Sequence, residues 1–198
     1  MSEPERGIRI AIVKGSVRPG NFTSKAVAYL EDEFEGRGVE VDVIDPAELN
    51  LSLPGMPAGD SRADELQSWI KDATGVVLAT PEYHGTFSSV MKLTIENMGF
   101  PSVLAGKPIA LLGVAAGRIG AIKALEHLRC VASHVGGLVL PGPVSVAGVR
   151  GYFDDEGRIN DPAVETSVRG VATSLLDYID RHVCPSKCLE EMVREAAA

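Results

Sequence analysis

Long apolar runs are missing from this 198-residue chain. None approaches the ~20 residues that cross a bilayer, so a membrane-spanning protein is not expected. The N-terminus, Met1-Ser2-Glu3-Pro4-Glu5-Arg6-Gly7, is polar and leads directly into a short strand-like segment, unlike a secretory signal. An excess of basic charge is also absent. Nineteen Lys and Arg against 27 Asp and Glu give a formal net charge of -8, which argues against a nucleic-acid-binding surface. Cysteine is scarce, and Cys130, Cys184 and Cys188 form an odd set without an export signal, so reduced thiols in the cytoplasm are expected. The Cys184–Cys188 spacing lacks a second ligand pair and reads as part of a tail without a chemical role.

Several catalytic signatures are lacking as well. There is no Gly-x-Ser-x-Gly elbow of a serine hydrolase, and His127, His134 and His182 fall on helical patterns without evident partners. No His-Glu-x-x-His spacing or similar cluster points to a metal. The first strand-like segment ends in Lys14-Gly15-Ser16 rather than the acidic cluster a phospho-receiver needs. No Gly-Lys-Ser/Thr closes the glycine-containing loop that follows, and no Gly-x-Gly-x-x-Gly occurs there.

What is present is an alternation of apolar strands and amphipathic helices. Ile8–Val13, Val39–Ile44, Gly75–Thr80, Ile109–Val114 and Leu138–Leu140 read as five strands. Between them come helical patterns over Thr23–Glu35, Ala63–Ala73, Ser88 or Ser89 to Asn97, and Gly120–His134. In the first of these, Ala26, Val27, Leu30 and Phe34 share one face, and the acidic run Glu31-Asp32-Glu33 reads as a solvated one. Asp161-Pro162 opens the last helix, as cap and first helical residue. Pro81–Gly85 is expected to break the third strand. This order predicts an α/β fold: a three-layer αβα sandwich with a five-stranded parallel sheet, in the flavodoxin-like order 2-1-3-4-5. Residues 1–183 are expected to form one domain and 184–198 a C-terminal tail.

In such a fold, ligands bind beyond the carboxyl ends of the strands. Three loops there are unusual. The first, Gly15 to Ser24, combines Ser16, Asn21, Thr23 and Ser24 as neutral donors with Arg18 as a fixed cation, at a helix N-terminus. That donor set suits a phosphate dianion, and a capped turn with a surface arginine is the alternative. The second runs Pro81-Glu82-Tyr83-His84-Gly85-Thr86. The third, Val114 to Gly120, holds Ala116, Gly117 and Arg118.

The first two loops together resemble the NADPH-dependent FMN reductase family, which includes flavin, quinone, azo-dye and chromate reductases. The family pattern is similar to Gly-Ser-x-Arg-x-x-Ser-x-Asn after strand one and Pro-Glu-Tyr-Asn-Gly-Ser after strand three. Gly15, Ser16, Arg18, Pro81, Glu82, Tyr83 and Gly85 match it. Asn21 stands at a usual serine, Thr23 at a usual asparagine, His84 at an asparagine and Thr86 at a serine. The resemblance extends from about Ile8 to Tyr178. It implies FMN contacts from the first loop to the phosphate, from Pro81 to Thr86 to the flavin ring, and from Ala116, Gly117 and Arg118 to the ring's pyrimidine end. It also implies NADPH (or NADH) as hydride donor, a small electron acceptor, no essential side-chain acid or base, and a homodimer or homotetramer. A flavodoxin-type electron carrier without NAD(P)H activity is the alternative.

Overall fold

The structure, a computed structural model, describes residues 7–185 and Cys188. Strand β1 (Arg9–Lys14) leads into helix α1 (Phe22–Gly36), strand β2 (Glu40–Ile44) and helix α2 (Ala63–Asp72). Then come β3 (Gly75–Tyr83), β4 (Thr86–Phe87), α3 (Ser89–Glu96), β5 (Pro108–Val114) and α4 (Ile122–His134). The chain continues through β6 (Leu138–Val139), β7 (Val144–Val146) and α5 (Pro162–Tyr178). The parallel core of the sheet has the order β2-β1-β3-β5-β6, the expected flavodoxin-like arrangement.

Strand side chains alternate between two apolar layers, as a sheet covered on both faces requires. Ile10, Ile12, Val77, Ala79, Ala110 and Leu112 pack under α1 and α5, beside Ala26, Val27, Leu30, Phe34, Val168 and Leu175. Ala11, Val13, Val76, Leu78, Ile109 and Leu111 face the other way, toward Leu66, Ile70, Met91, Leu125 and Leu128 of α2, α3 and α4. The caps agree with the local sequence. Ser88 caps α3 by accepting the Met91 N–H at 3.0 Å. Asp161 caps α5 by accepting from Ala163 and Val164, with Pro162 at the first helical position.

The sheet has seven strands among the described residues, not five, and both additions lie at its ligand end. Strand β3 does not stop at Thr80. It continues through Pro81, which registers against Val114 of β5, to Tyr83, and folds back antiparallel as β4. The break expected at Pro81 fails because β1 ends opposite Ala79, so no neighbour on that side demands the amide hydrogen proline lacks. The fifth strand is split in two. Pro141-Gly142-Pro143 interrupts it, so β6 pairs with the start of β5 and β7 with its end.

The acidic run on α1 is only partly a solvated face. Glu33 is tucked between Arg37 (2.5 Å) and Arg169 (3.2 Å), and Asp32 also pairs with Arg169 (2.7 Å). The Arg37 hydrogen bond, with help from Arg169, holds the Glu33 carboxyl below its ordinary range. Helix α5 continues through a wider turn, and the backbone stays helical through Pro185. Most of the expected tail lies outside the described residues. No helix among the described residues is long and apolar enough to cross a membrane.

Candidate functional site

Beyond the carboxyl ends of β1, β3 and β5 lies a cavity of about 320 Å³. Its walls come from the first loop, the end of β3, the start of the loop after β5, and the turn after β7. The first loop can descend so close to β3 because of Gly15. Its N–H donates to the Ala79 carbonyl at 2.7 Å, and a Cβ there would lie 2.7 Å from the same oxygen. Ser88 Oγ donates to the Gly15 carbonyl from the other side, 2.5 Å away.

Within this loop the polar side chains divide into two groups. Asn21 is the N-cap of α1: its Oδ1 accepts the Ser24 N–H (2.8 Å), and its Nδ2 donates to the Arg18 carbonyl (2.6 Å) and to Ser24 Oγ (3.0 Å). Asn21 and Ser24 are therefore engaged in shaping the loop, and Ser24 does not line the cavity. Ser16 and Thr23 do line it. They are 2% and 1% exposed, yet Ser16 Oγ and Thr23 Oγ1 have no hydrogen-bond partner among the described residues. A buried hydroxyl left unpaired costs ~1–3 kcal/mol, so two side by side at one cavity need an explanation. The backbone N–H groups of Phe22 and Thr23, the first two of α1, likewise have no acceptor among the described residues. Arg18 lines the same cavity, its guanidinium carbon over the Tyr83 ring at 5.0 Å from the centroid.

Helix-end N–H groups, two short hydroxyls and a guanidinium are the donor set of a phosphate monoester dianion. The orphaned hydroxyls are the observation that tests this fit, because a phosphate oxygen would satisfy both. Pro81 and Tyr83 extend the same cavity as an apolar and aromatic wall suited to a flat ring system, with Glu82 between them engaged by the Gly85 N–H.

His84 and Gly85 make the two-residue turn of the β3–β4 hairpin, with φ of 52° and 79°. Left-handed geometry at both positions defines this tight hairpin turn. The first of them favours Asn, Asp or His over other side chains, which explains how His84 replaces the family's asparagine without moving the backbone. Glu82 Oε1 accepts the Gly85 N–H at 2.5 Å and so braces the turn. Thr86 Oγ1 lies 3.0 Å from His127 Nδ1 on α4. His84, Gly85 and Thr86 are thus outside the cavity lining, on the side toward α4.

In the third loop Ala116 lines the cavity, whereas Gly117 and Arg118 do not. The loop is tied to the segment after β7: Ala115 N–H donates to Val146 O (2.9 Å), Val149 N–H to Ala115 O (3.0 Å) and Gly148 N–H to Gly117 O (3.0 Å). Arg118 is exposed at the loop tip, beside Ile119 at 78% exposure. Pro19, Gly20, Phe22, Val114, Val149 and Arg150 also line the cavity and were not among the site residues expected from the sequence. No local pattern signals the last two: the strand before them, Val144 to Val146, is only three residues long.

The family model of the NADPH-dependent FMN reductases matches residues 8–150, a span that holds all three loops. The chain belongs to this family. Membership brings FMN as redox cofactor and NADPH as electron donor, and the electron-carrier alternative is not favoured. An FMN-dependent NADPH-azoreductase of Staphylococcus haemolyticus (strain JCSC1435) is 29% identical over 141 residues, 68% of this chain and 74% of the relative. A second, from Staphylococcus aureus (strain USA300), is 23% identical over 178 residues, 85% and 94% of the two chains. Among solved structures, FerB of Paracoccus denitrificans, a flavoenzyme NAD(P)H:(acceptor) oxidoreductase, matches with a TM-score of 0.73 at 23% identity. The match covers 88% of this chain and 98% of that one, and it carries the fold.

Proposed function

We propose that this FMN reductase holds the FMN phosphate on Ser16, Arg18, Thr23 and the N-terminus of α1. The ring would lie along Pro81, Glu82 and Tyr83, with Ala116 on its far side. Bound FMN supplies the two-electron chemistry between NADPH and the acceptor. The chain's own part is binding and orientation. Ser16 and Thr23 hydroxyls fix the phosphate, Tyr83 offers a face or rim to the ring, and the hairpin turn at His84-Gly85 presents backbone groups of Glu82 to Thr86 at its polar edge. Gly117 and Arg118 would approach the pyrimidine end, where negative charge develops on reduction. No side chain is assigned a covalent or proton-transfer role.

The observation that carries this reading is the pair of buried hydroxyls, unpaired among the described residues, at a cavity that Arg18 also lines. The acceptor is a small molecule: a quinone, an azo compound, a flavin or a metal oxyanion. The azoreductase relatives put azo compounds first among these. Residues 1–183 would act as one FMN-binding unit in the cytoplasm, with 184–198 as a tail. Leu53 and Met56, each 64% exposed in the loop after β2, favour contact with a second copy of the chain in a dimer or tetramer.

Titrating the protein with FMN, then adding NADPH without oxygen, tests the whole scheme. Saturable FMN uptake, bleaching of the flavin band by NADPH and its return with an azo dye or quinone are expected. FMN uptake by Arg18→Ala equal to that of the unaltered protein would contradict the phosphate assignment.

A further inference from the structure

The cavity is lined by a second arginine, and it comes from outside the three loops singled out in the sequence. Arg150 sits in the short turn Val149–Gly151, and this turn forms the wall that faces the first loop. The backbone on both sides of it is fixed by tertiary contacts. Val149 is buried and donates its N–H to Ala115 O. Phe153, also buried, packs its ring 5.7 Å from that of Phe22 in the first turn of α1 and 6.5 Å from that of Tyr29. Lys25 Nζ donates to the Asp154 carbonyl (3.3 Å), and Ile159 N–H donates to the Tyr29 hydroxyl (2.7 Å). The segment is therefore stapled to α1, and Arg150 is carried to the same cavity as Ser16 and Thr23.

Acidic side chains stand close by in sequence, yet they do not claim Arg150. Asp154 and Glu156 are bound by Arg158, at 2.8 and 3.0 Å. Among the described residues Arg150 has no hydrogen-bond or ion-pair partner. An unpaired arginine that lines the same cavity as unpaired buried hydroxyls and free helix-end N–H groups points to a dianion between them.

Resting on the FMN reading above, we infer that Arg150 is a second phosphate-binding cation, closing the grip on the FMN phosphate from the side opposite Arg18. It adds to the bound form only, because none of the described residues occupies it.

The test compares FMN with riboflavin, which lacks the phosphate, by quenching of flavin fluorescence in the unaltered protein, Arg150→Ala and Arg150→Lys. Loss of a charge-assisted hydrogen bond at an exposed site weakens binding roughly tenfold. Arg150→Ala should lose about that factor for FMN and nothing for riboflavin, and Arg150→Lys, with a point charge in place of the fork, should fall between. Equal FMN affinity in all three proteins overturns the inference while leaving the FMN reading intact. Equal losses for FMN and riboflavin overturn it too, since the phosphate would not be what Arg150 reads. Unchanged FMN affinity with a raised KM for NADPH but not NADH would assign Arg150 to the nucleotide's 2′-phosphate instead. If the unaltered protein takes up no FMN, the parent reading falls, and this inference with it.

Discussion

Thr23→Val should move stability and FMN affinity in opposite directions. In the free protein Thr23 is 1% exposed and its Oγ1 is unpaired, so the hydroxyl carries a desolvation penalty of ~1–3 kcal/mol. Valine has nearly the same shape and a similar helix propensity, so the swap removes that penalty without opening a cavity. For a chain of this size each kcal/mol shifts Tm by about 2–4 °C, so the FMN-free variant should melt several degrees higher. With FMN bound, the variant loses a hydrogen bond to a charged group, about 1.5–3 kcal/mol, or roughly 10- to 150-fold in Kd. Ligand stabilisation falls with the rise in Kd, so the gap in Tm narrows or inverts as FMN is added. Differential scanning calorimetry along an FMN titration reads both effects in one experiment. A lower Tm for the FMN-free variant, together with an unchanged Kd, would refute the reasoning: the hydroxyl would then have a structural partner and no ligand.

Three other perturbations probe separate parts of the argument. His84→Asn should leave stability within a few tenths of a kcal/mol, whereas His84→Val, β-branched at φ 52°, should cost about 1–2 kcal/mol in a urea melt. Phe34→Ala, at a fully buried position on the inner face of α1, should cost about 3–5 kcal/mol by the same measurement. The Glu33 carboxyl is held low by Arg37 and Arg169, so its stabilisation is fully present above the unfolded-state pKa and disappears as pH falls through the lower folded value. Glu33→Gln should therefore cost about 1 kcal/mol at neutral pH and nothing once the carboxylate is protonated, which paired urea melts at the two pH values will show.

The sheet order, the two faces of α1 and the Asp161-Pro162 helix start were legible because each rests on neighbouring residues. Periodicity places Ala26, Val27, Leu30 and Phe34 together, and all four are buried. The hairpin at the end of β3 was not legible in this way. Proline and glycine usually mark a break, and the strand survives Pro81 only because β1 ends beside it. The split fifth strand was hidden for a related reason: three residues, Val144 to Val146, are too few to display a period. Arg150 is one step further removed. It reaches the cavity through Phe153 stacking on Phe22, a contact between residues 131 positions apart in the numbering of the chain, which no local pattern encodes.

The first loop shows why residue type alone does not separate a ligand site from a well-made turn. Ser16, Asn21, Thr23 and Ser24 are equivalent as donors in the sequence, and a phosphate site and a capped turn both call for them. Folding separates them. Asn21 takes the Ser24 N–H and returns a hydrogen bond to Ser24 Oγ, so the turn's own needs are met by that pair. Ser16 and Thr23 are buried with nothing to bond. If the loop existed only to cap α1, these two would be better as alanine and valine, because each hydroxyl lowers the stability of the free protein. Their presence at a cavity lined by two arginines is explained by a ligand whose oxygens meet them. Ser16→Ala should accordingly repeat the behaviour of Thr23→Val. A rise in FMN-free Tm with FMN affinity preserved would instead mean that the phosphate is gripped by Arg18 and the helix end alone.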